Sequence, residues 1–248
     1  MARVWIGTSG WTYSSWKGVF YPSDLPSRHY LEFYAREFPT TEVNYSFYHL
    51  PRPSTYEKWA AQAPDNFLFA LKASRFITHV KRLVDVEEAW ATFIHNALVL
   101  GPHLGPILFQ FPPSFGCDRR RLAAFLKNVQ GSWPKSHFLR LAFEFRHNTW
   151  FIEEIFSLLR KNDVALCVAD SSRYPRRDEL TTNFTYLRFH GRTELFASRY
   201  TDSELAEEAK QIRRHLRNGR DVYVYFNNDA HGYAVENART LKHLIGTP

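Results

Sequence analysis

Short apolar runs, rich in aromatic and β-branched residues, recur eight times along the chain, and most are followed by a helical pattern. The predicted strands are Val4–Thr8, Thr41–Tyr45, Phe67–Leu71, Ile107–Phe111, Phe138–Phe143, Ala165–Ala169, Thr185–Phe189 and Val222–Phe226. The predicted helices are Ser27–Phe38, Ser54–Ala63, Val86–Leu100, Asp118–Val129, Phe151–Lys161, Asp202–Arg217 and Val235–Ile245. Because strands that alternate with helices are typical of a parallel sheet covered by helices, this repeat predicts an α/β fold.

The length of the chain, 248 residues, is one at which such a repeat commonly closes on itself. We therefore predict one domain over residues 1–248, a single TIM-like (β/α)8 barrel, with an open doubly wound sheet as the alternative. The interval between Asp170 and Phe184 is short and contains Pro175, so the helix after the sixth strand is predicted to be short or absent.

Composition excludes several classes of protein. Hydrophobic residues make up 44% and charged residues 23% of the chain, a balance typical of globular proteins and not of disordered ones. No apolar run approaches the roughly 18 residues of a membrane span, and the first residues do not resemble a secretory leader. With only Cys117 and Cys167, a disulfide framework is not expected. These features predict a cytoplasmic protein without a membrane partner.

Polar and aromatic residues cluster where the predicted strands end, which is where the active site of a parallel barrel forms. Alternate residues of a strand share a face, so Glu144 with Arg146, and Arg188 with His190, project to the same side. The candidate catalytic residues are Glu42, Glu144 and His190. The candidate ligand-binding residues are Trp11, Asn44, Tyr45, Lys72, Arg75, His79, Gln110, Arg146, Asp170, Arg188, Asn227 and Asn228.

The chain is basic, with a formal net charge of +7, which favours an anionic partner. We predict a pocket for a phosphate-containing small molecule or a nucleic acid, in which cations bind phosphate and aromatic rings stack on bases. If the pocket is catalytic, Glu42 or Glu144 is the candidate general base and His190 the general acid. Whether the protein is an enzyme stays open. The alternative is a non-catalytic interaction module whose strand-end charges neutralise one another.

Metal and cofactor chemistry were considered for the same residues. Glu42, Glu144, Asp170 and His190 are of the types that hold divalent metals, so a metal-assisted hydrolase or isomerase is a second alternative. The chain has no HExxH motif, however, and no metal ligand is assigned. Lys72 is of the type that forms Schiff bases. Since neither a Walker A motif nor GxGxxG is present, no cofactor is predicted.

Motifs spread along nearly the whole chain resemble those of one known family. They are Gly7–Trp11, Trp16–Gly18, Phe20–Pro22, Glu42–Tyr48, Lys72–Arg75 with Thr78 and His79, Gly105 with Pro106, Gln110–Pro113, Glu144–His147 with Trp150, Arg188–Gly191, and Tyr225–Asp229 with Asn237 and Ala238. In this order they resemble the DUF72 or YecE-like proteins, whose biochemical role is not established. The resemblance implies a TIM barrel with these polar residues lining one pocket.

That fold in turn suggests an analogy to barrels of the xylose isomerase and endonuclease IV type, which hold metals with carboxylates and histidines. This chain offers few strand-end histidines and has arginines in their place, so a trinuclear zinc centre is not expected.

Overall fold

In the computed structural model, which describes residues 1–130 and 139–246, the eight strands form a closed barrel in chain order. The strands are β1 (Val4–Ser9), β2 (Thr40–Val43), β3 (Leu68–Lys72), β4 (Leu104–Gln110), β5 (Leu141–Glu144), β6 (Val164–Asp170), β7 (Phe184–Phe189) and β8 (Asp221–Phe226). The pairs β1–β2, β1–β8, β3–β4, β4–β5, β5–β6 and β7–β8 are all parallel. The TIM-like barrel is therefore confirmed, and closure excludes the open sheet.

The predicted helices occur in the predicted order, and the structure adds a short helix at Tyr45–Tyr48. The helices are α1 (Tyr30–Ala35), α2 (Tyr45–Tyr48), α3 (Pro53–Gln62), α4 (Glu87–Ala97), α5 (Arg119–Gln130), α6 (Glu153–Lys161), α7 (Asp202–Arg217) and α8 (Tyr233–Ile245). Among the described residues, no helix lies between β6 and β7, as the sequence predicts. No helix of this part of the chain is long and apolar enough to cross a membrane.

Two predicted strand boundaries need comment. The predicted strand Thr41–Tyr45 is wrong at its end, because β2 stops at Val43 and Asn44 has helical dihedral angles, φ −79° and ψ −20°. Tyr45 therefore begins the short helix α2 and does not end a strand. The predicted start of the fifth strand, Phe138, lies outside the described residues.

The chain divides into two compact units. The first unit comprises Met1–Glu42, Val168–Asp178 and the described chain from Asn183 onward. The second unit comprises the described parts of Val43–Cys167 together with Glu179–Thr182. Each unit carries its own group of strand-end polar residues.

Close packing in the first unit depends on Gly7. A Cβ atom at this position would lie 2.0 Å from the carbonyl oxygen of Thr40. The Tyr34 hydroxyl fills the adjacent space, where it accepts a hydrogen bond from the Thr8 amide at 2.8 Å and donates to Thr40 O at 3.0 Å. Only glycine allows the strands and this phenol to approach so closely.

Helix α7 begins with the capping box that the spacing of Thr201 and Glu204 predicts. The Thr201 hydroxyl accepts a bond from the Glu204 amide at 3.3 Å, and the Glu204 carboxylate accepts one from the Thr201 amide at 2.8 Å. We expect Thr201→Ala to lower the free energy of unfolding by about 1 kcal/mol, because an amide of the first turn loses its acceptor. Urea denaturation measures this, with Thr201→Ser as the control that keeps the cap. An equal loss in both variants would contradict a capping role.

Candidate functional site

A buried ion pair dominates the strand ends of the first unit. Arg188 on β7 donates from Nη2 to Glu42 Oε1 on β2 at 2.7 Å, and both side chains are almost fully inaccessible to solvent. Ser9 Oγ donates to the same carboxylate oxygen at 2.7 Å, and the Tyr186 hydroxyl donates to Oε2 at 2.6 Å. Glu42 is thus held by three donors.

The chemistry of this pair follows from its burial. Desolvation and the neighbouring Glu42 charge raise the pKa of Tyr186 well above its usual value, so the phenol stays protonated and keeps donating. A carboxylate engaged by a guanidinium and two hydroxyls is stabilised in its charged form. As a general base, Glu42 would have to give up these bonds, so the geometry favours a positioning role.

His190 is buried directly beyond β7. Its Nδ1 lies 3.1 Å from Asn227 Nδ2, and its Nε2 lies 3.5 Å from Arg188 Nη1. Asn228, also buried, donates to Asn237 Oδ1 and to Ser198 O, both at 2.9 Å. The structure therefore brings His190, Arg188 and Asn227 together, while Asn228 contributes to loop packing.

Asp229 ends the motif Tyr225–Asp229 but is not among the candidate site residues named from the sequence. Its Oδ1 atom is inaccessible to solvent and accepts no hydrogen bond within the described chain. Burial raises the pKa of Asp229 to about 7, with a smaller upward effect of Glu42, and a Tyr13 hydrogen bond and the Arg188 charge oppose the shift. A carboxyl that titrates near neutral pH is poised for proton transfer.

Asp170 lies in a dense ionic network. It accepts bonds from Arg176 Nη1 at 2.5 Å, Arg192 Nε at 3.1 Å and the Tyr200 hydroxyl at 2.8 Å. Glu208 of α7 binds the same two arginines, each at 2.6 Å. Burial opposes ionisation of Asp170, but these donors outweigh it and lower its pKa. The network anchors the loop after β6, which assigns a structural role to Arg176 within the basic segment 173–177.

In the second unit, neighbouring strands place Gln110 and Glu144 opposite each other. Arg146 Nε donates to Glu144 Oε1 at 2.6 Å, although β5 ends at Glu144 and Arg146 lies two residues beyond the strand. Glu144 is fully buried, whereas Arg146 is partly exposed. The Gln110 side chain donates to the Phe111 carbonyl at 2.8 Å.

Cations surround one imidazole at the end of β3. Lys72 Nζ lies 4.2 Å from the centre of the Phe47 ring, and the His79 ring contacts the same phenyl group at 4.9 Å between centres. Burial, together with the charges of Lys72, Arg146, Arg75 and Arg82, lowers the pKa of His79 to about 4. We call these five residues, Lys72, Arg75, His79, Arg82 and Arg146, the cationic cluster.

The segment that contains Arg75, His79 and Arg82 has an unusual backbone conformation. Phe76–Val80 forms one turn of π-helix, and Arg82, Leu83 and Asp85 follow with φ of 47°, 72° and 50°. Such irregular backbone concentrates at functional sites, where surrounding contacts hold it. Here Arg82 donates to the Ser114 carbonyl at 3.3 Å and to Ser114 Oγ at 3.1 Å.

The remaining selected residues differ in accessibility. Trp11 of the first unit is buried, and its carbonyl accepts a bond from the Tyr21 hydroxyl at 2.5 Å. In the second unit, Asn44 is partly buried, whereas Tyr45 and Arg75 are exposed. Tyr45 and Arg75 are therefore reachable by a large ligand, and Trp11 is not.

A metal centre finds little support in the donor set. Across residues 1–130 and 139–246, no three His, Cys, Asp or Glu side chains gather closely enough to hold a metal ion. The carboxylates considered as ligands are engaged by arginines: Glu42 by Arg188, Glu144 by Arg146, and Asp170 by Arg176 and Arg192. These residues do not fit the metal-assisted alternative.

Comparison with known proteins agrees with the motifs. A family model described as a protein of unknown function, DUF72, matches residues 5–248. The chain is 27% identical to the UPF0759 protein YunF of Bacillus subtilis (strain 168) over 98% of its own length and 94% of that protein's. It is 30% identical to the UPF0759 protein YecE of Escherichia coli (strain K12) over 52% of its length and 46% of that protein's.

Solved structures show the same barrel. A DUF72 family protein from Thermotoga maritima matches with a TM-score of 0.80 and 30% identity, covering 98% of this chain and 99% of that one. A DUF72 family protein from Enterococcus faecalis matches with a TM-score of 0.83 and 21% identity, covering 100% and 96%. The second likeness bears on the fold alone, and the first bears on the family as well.

Proposed function

We propose that this chain, which belongs to the DUF72 family, binds a phosphate-containing anion at the cationic cluster of its second unit. The observation that supports this most directly is the set of four cationic side chains around His79. Arg146 is ion-paired with Glu144 at 2.6 Å, and the excess of positive charge among these side chains attracts a polyanion.

The individual side chains suit such a ligand. The side chains of Lys72 and Arg146 are largely buried, whereas Arg75 is exposed. Arg75 has no ion-paired or hydrogen-bonded partner among the described residues. Guanidinium groups bind phosphate oxygens in pairs of parallel bonds, and an ammonium adds a compact charge. His79, neutral at pH 7, can donate from a ring nitrogen without adding to the repulsion.

The proposal predicts that Arg75→Glu weakens binding of inorganic pyrophosphate by about tenfold to a hundredfold, because a charge-assisted contact becomes a repulsive one. Isothermal titration calorimetry at low ionic strength measures the affinity. Lys161→Glu is the matched control, since it changes the net charge equally at the exposed end of α6. An equal loss in both variants would show that only net charge matters, and absent binding by the wild type would refute the proposal.

Asp229 supports a second candidate function, acid–base catalysis in the first unit. Its carboxyl titrates near neutral pH, whereas Glu42 is engaged by three donors. We therefore assign Asp229 the proton-transfer role that the sequence analysis gave to Glu42 or Glu144. Its protonation is directly measurable through the pH dependence of stability.

A further inference from the structure

Large apolar side chains are exposed beside the cationic cluster. Tyr45 and Tyr48 of α2 are 53% and 66% exposed, and Phe76 and Val80 of the π-helical turn are 43% and 56% exposed. Single exposed apolar residues are ordinary, but a group of them marks a binding surface. We call the three aromatic residues among them, Tyr45, Tyr48 and Phe76, the aromatic patch.

The two segments that carry the patch are joined through Phe47. Its ring meets Tyr48 at 4.9 Å and His79 at 4.9 Å between centres, perpendicular or nearly so in each case. Ser46 Oγ also donates to the Lys72 carbonyl at 2.7 Å, which fixes α2 against the end of β3. Phe47 and Ser46 therefore connect the helix that carries Tyr45 and Tyr48 to Lys72 and His79 of the cationic cluster.

The two segments that carry the patch contain basic residues and no acidic ones. Residues 44–50 and 72–84 contain no Asp or Glu, whereas 72–84 contributes Lys72, Arg75, Lys81 and Arg82. Lys81 Nζ lies 5.9 Å from the centre of the Phe76 ring, so positive charge and aromatic faces are interleaved.

We infer, resting on the proposed function, that the phosphate-containing ligand is a single strand of nucleic acid whose bases stack on the aromatic patch while its phosphates contact the cationic cluster. Stacking on exposed rings needs unpaired bases, which a duplex does not offer. An acidic peptide matches the charge, but it does not supply a planar face at every residue. The observations therefore favour a nucleic acid strand over an acidic protein.

The test compares polyanions of similar charge on the full chain. Fluorescence competition measures the affinity for a ten-nucleotide oligothymidylate, for inorganic polyphosphate of about ten units and for decaglutamate. The strand is expected to bind about tenfold tighter than polyphosphate, because stacking adds to charge. Tyr48→Leu is expected to weaken binding of the strand about tenfold and to leave polyphosphate unchanged. Tyr48→Phe, which keeps the ring, is expected to bind as the wild type does.

Each other outcome has a definite meaning. If polyphosphate binds as tightly as the strand and Tyr48→Leu has no effect, the nucleic-acid inference is wrong while the phosphate site stands. If decaglutamate matches the strand, the partner is an acidic protein and the inference is again overturned. If neither phosphate polymer binds, the proposed function fails and the inference fails with it.

Discussion

Replacing Arg188 by methionine is expected to lower the free energy of unfolding by about 3–5 kcal/mol, because the substitution leaves a buried carboxylate without its cation. Arg188 is 1% exposed and Glu42 is fully buried, so water cannot replace the guanidinium. Ser9 and Tyr186 would still donate to Glu42, but two hydroxyls do not neutralise its charge. Urea denaturation of the two proteins at neutral pH measures the difference.

Two further variants separate this effect from general damage. The double variant Glu42→Gln with Arg188→Met leaves no charge buried at the pair and still offers an acceptor to Ser9 and Tyr186, so we expect it to be more stable than Arg188→Met alone. Arg36→Met removes an exposed partner of Glu32 and should cost less than about 1 kcal/mol. If Arg188→Met costs no more than Arg36→Met, the buried pair does not contribute as argued.

The strands and helices can be predicted from the sequence because their burial requires a recognisable pattern of apolar residues. Strands covered on both faces appear as continuous apolar runs, and helices packed on one side appear as amphipathic repeats. The end of β2 is not marked by any such pattern of apolar residues. Asn44 turns into α2, and the contact that holds that helix joins Ser46 to Lys72, which is distant in sequence. A local pattern does not carry this information.

The contacts within the candidate site are likewise only partly predictable from the sequence. The contact between Glu144 and Arg146 joins residues two apart in the chain, so a local pattern suggests it even though β5 ends at Glu144. The partner of Glu42 is not predictable, since Arg188 comes from a strand at the other end of the chain. Nor does sequence reveal that Arg176 binds Asp170 through an irregular loop. Polar residues at strand ends locate a site, and their pairing requires the three-dimensional structure.

Asp229 shows why a residue within a recognised motif is not singled out from the sequence. In the sequence it is one more polar residue after β8, and its unusual property arises from desolvation and from the opposing charges of Arg188 and Glu42. Because the Arg188 charge lowers the pKa of Asp229, Arg188→Met is expected to raise that pKa further. The buried ion pair and the titrating carboxyl are therefore electrostatically coupled.

The protonation of Asp229 predicts a specific dependence of stability on pH. Its pKa is about 7 in the folded protein and near 3.8 in the unfolded chain, so the folded state binds the proton more tightly. The stability contributed by the protonated carboxyl is fully present below the unfolded pKa and is lost as pH rises through the folded one. Asp229→Asn, which stays uncharged, is expected to exceed the wild type in stability at pH 8.5 by on the order of 4 kcal/mol.

At pH 4 the same substitution should change stability by less than about 1 kcal/mol, because Asp229 is then protonated when folded and only about half ionised when unfolded. Paired urea denaturation of the wild type and the variant at both pH values cancels the titration of all other groups. Asp24→Asn, which removes an exposed carboxylate from the same unit, is the control and should show no comparable pH-dependent difference. If Asp229→Asn differed in stability from the wild type by the same amount at both pH values, Asp229 would not titrate near neutrality. Its assignment as the proton-transfer residue would then be wrong.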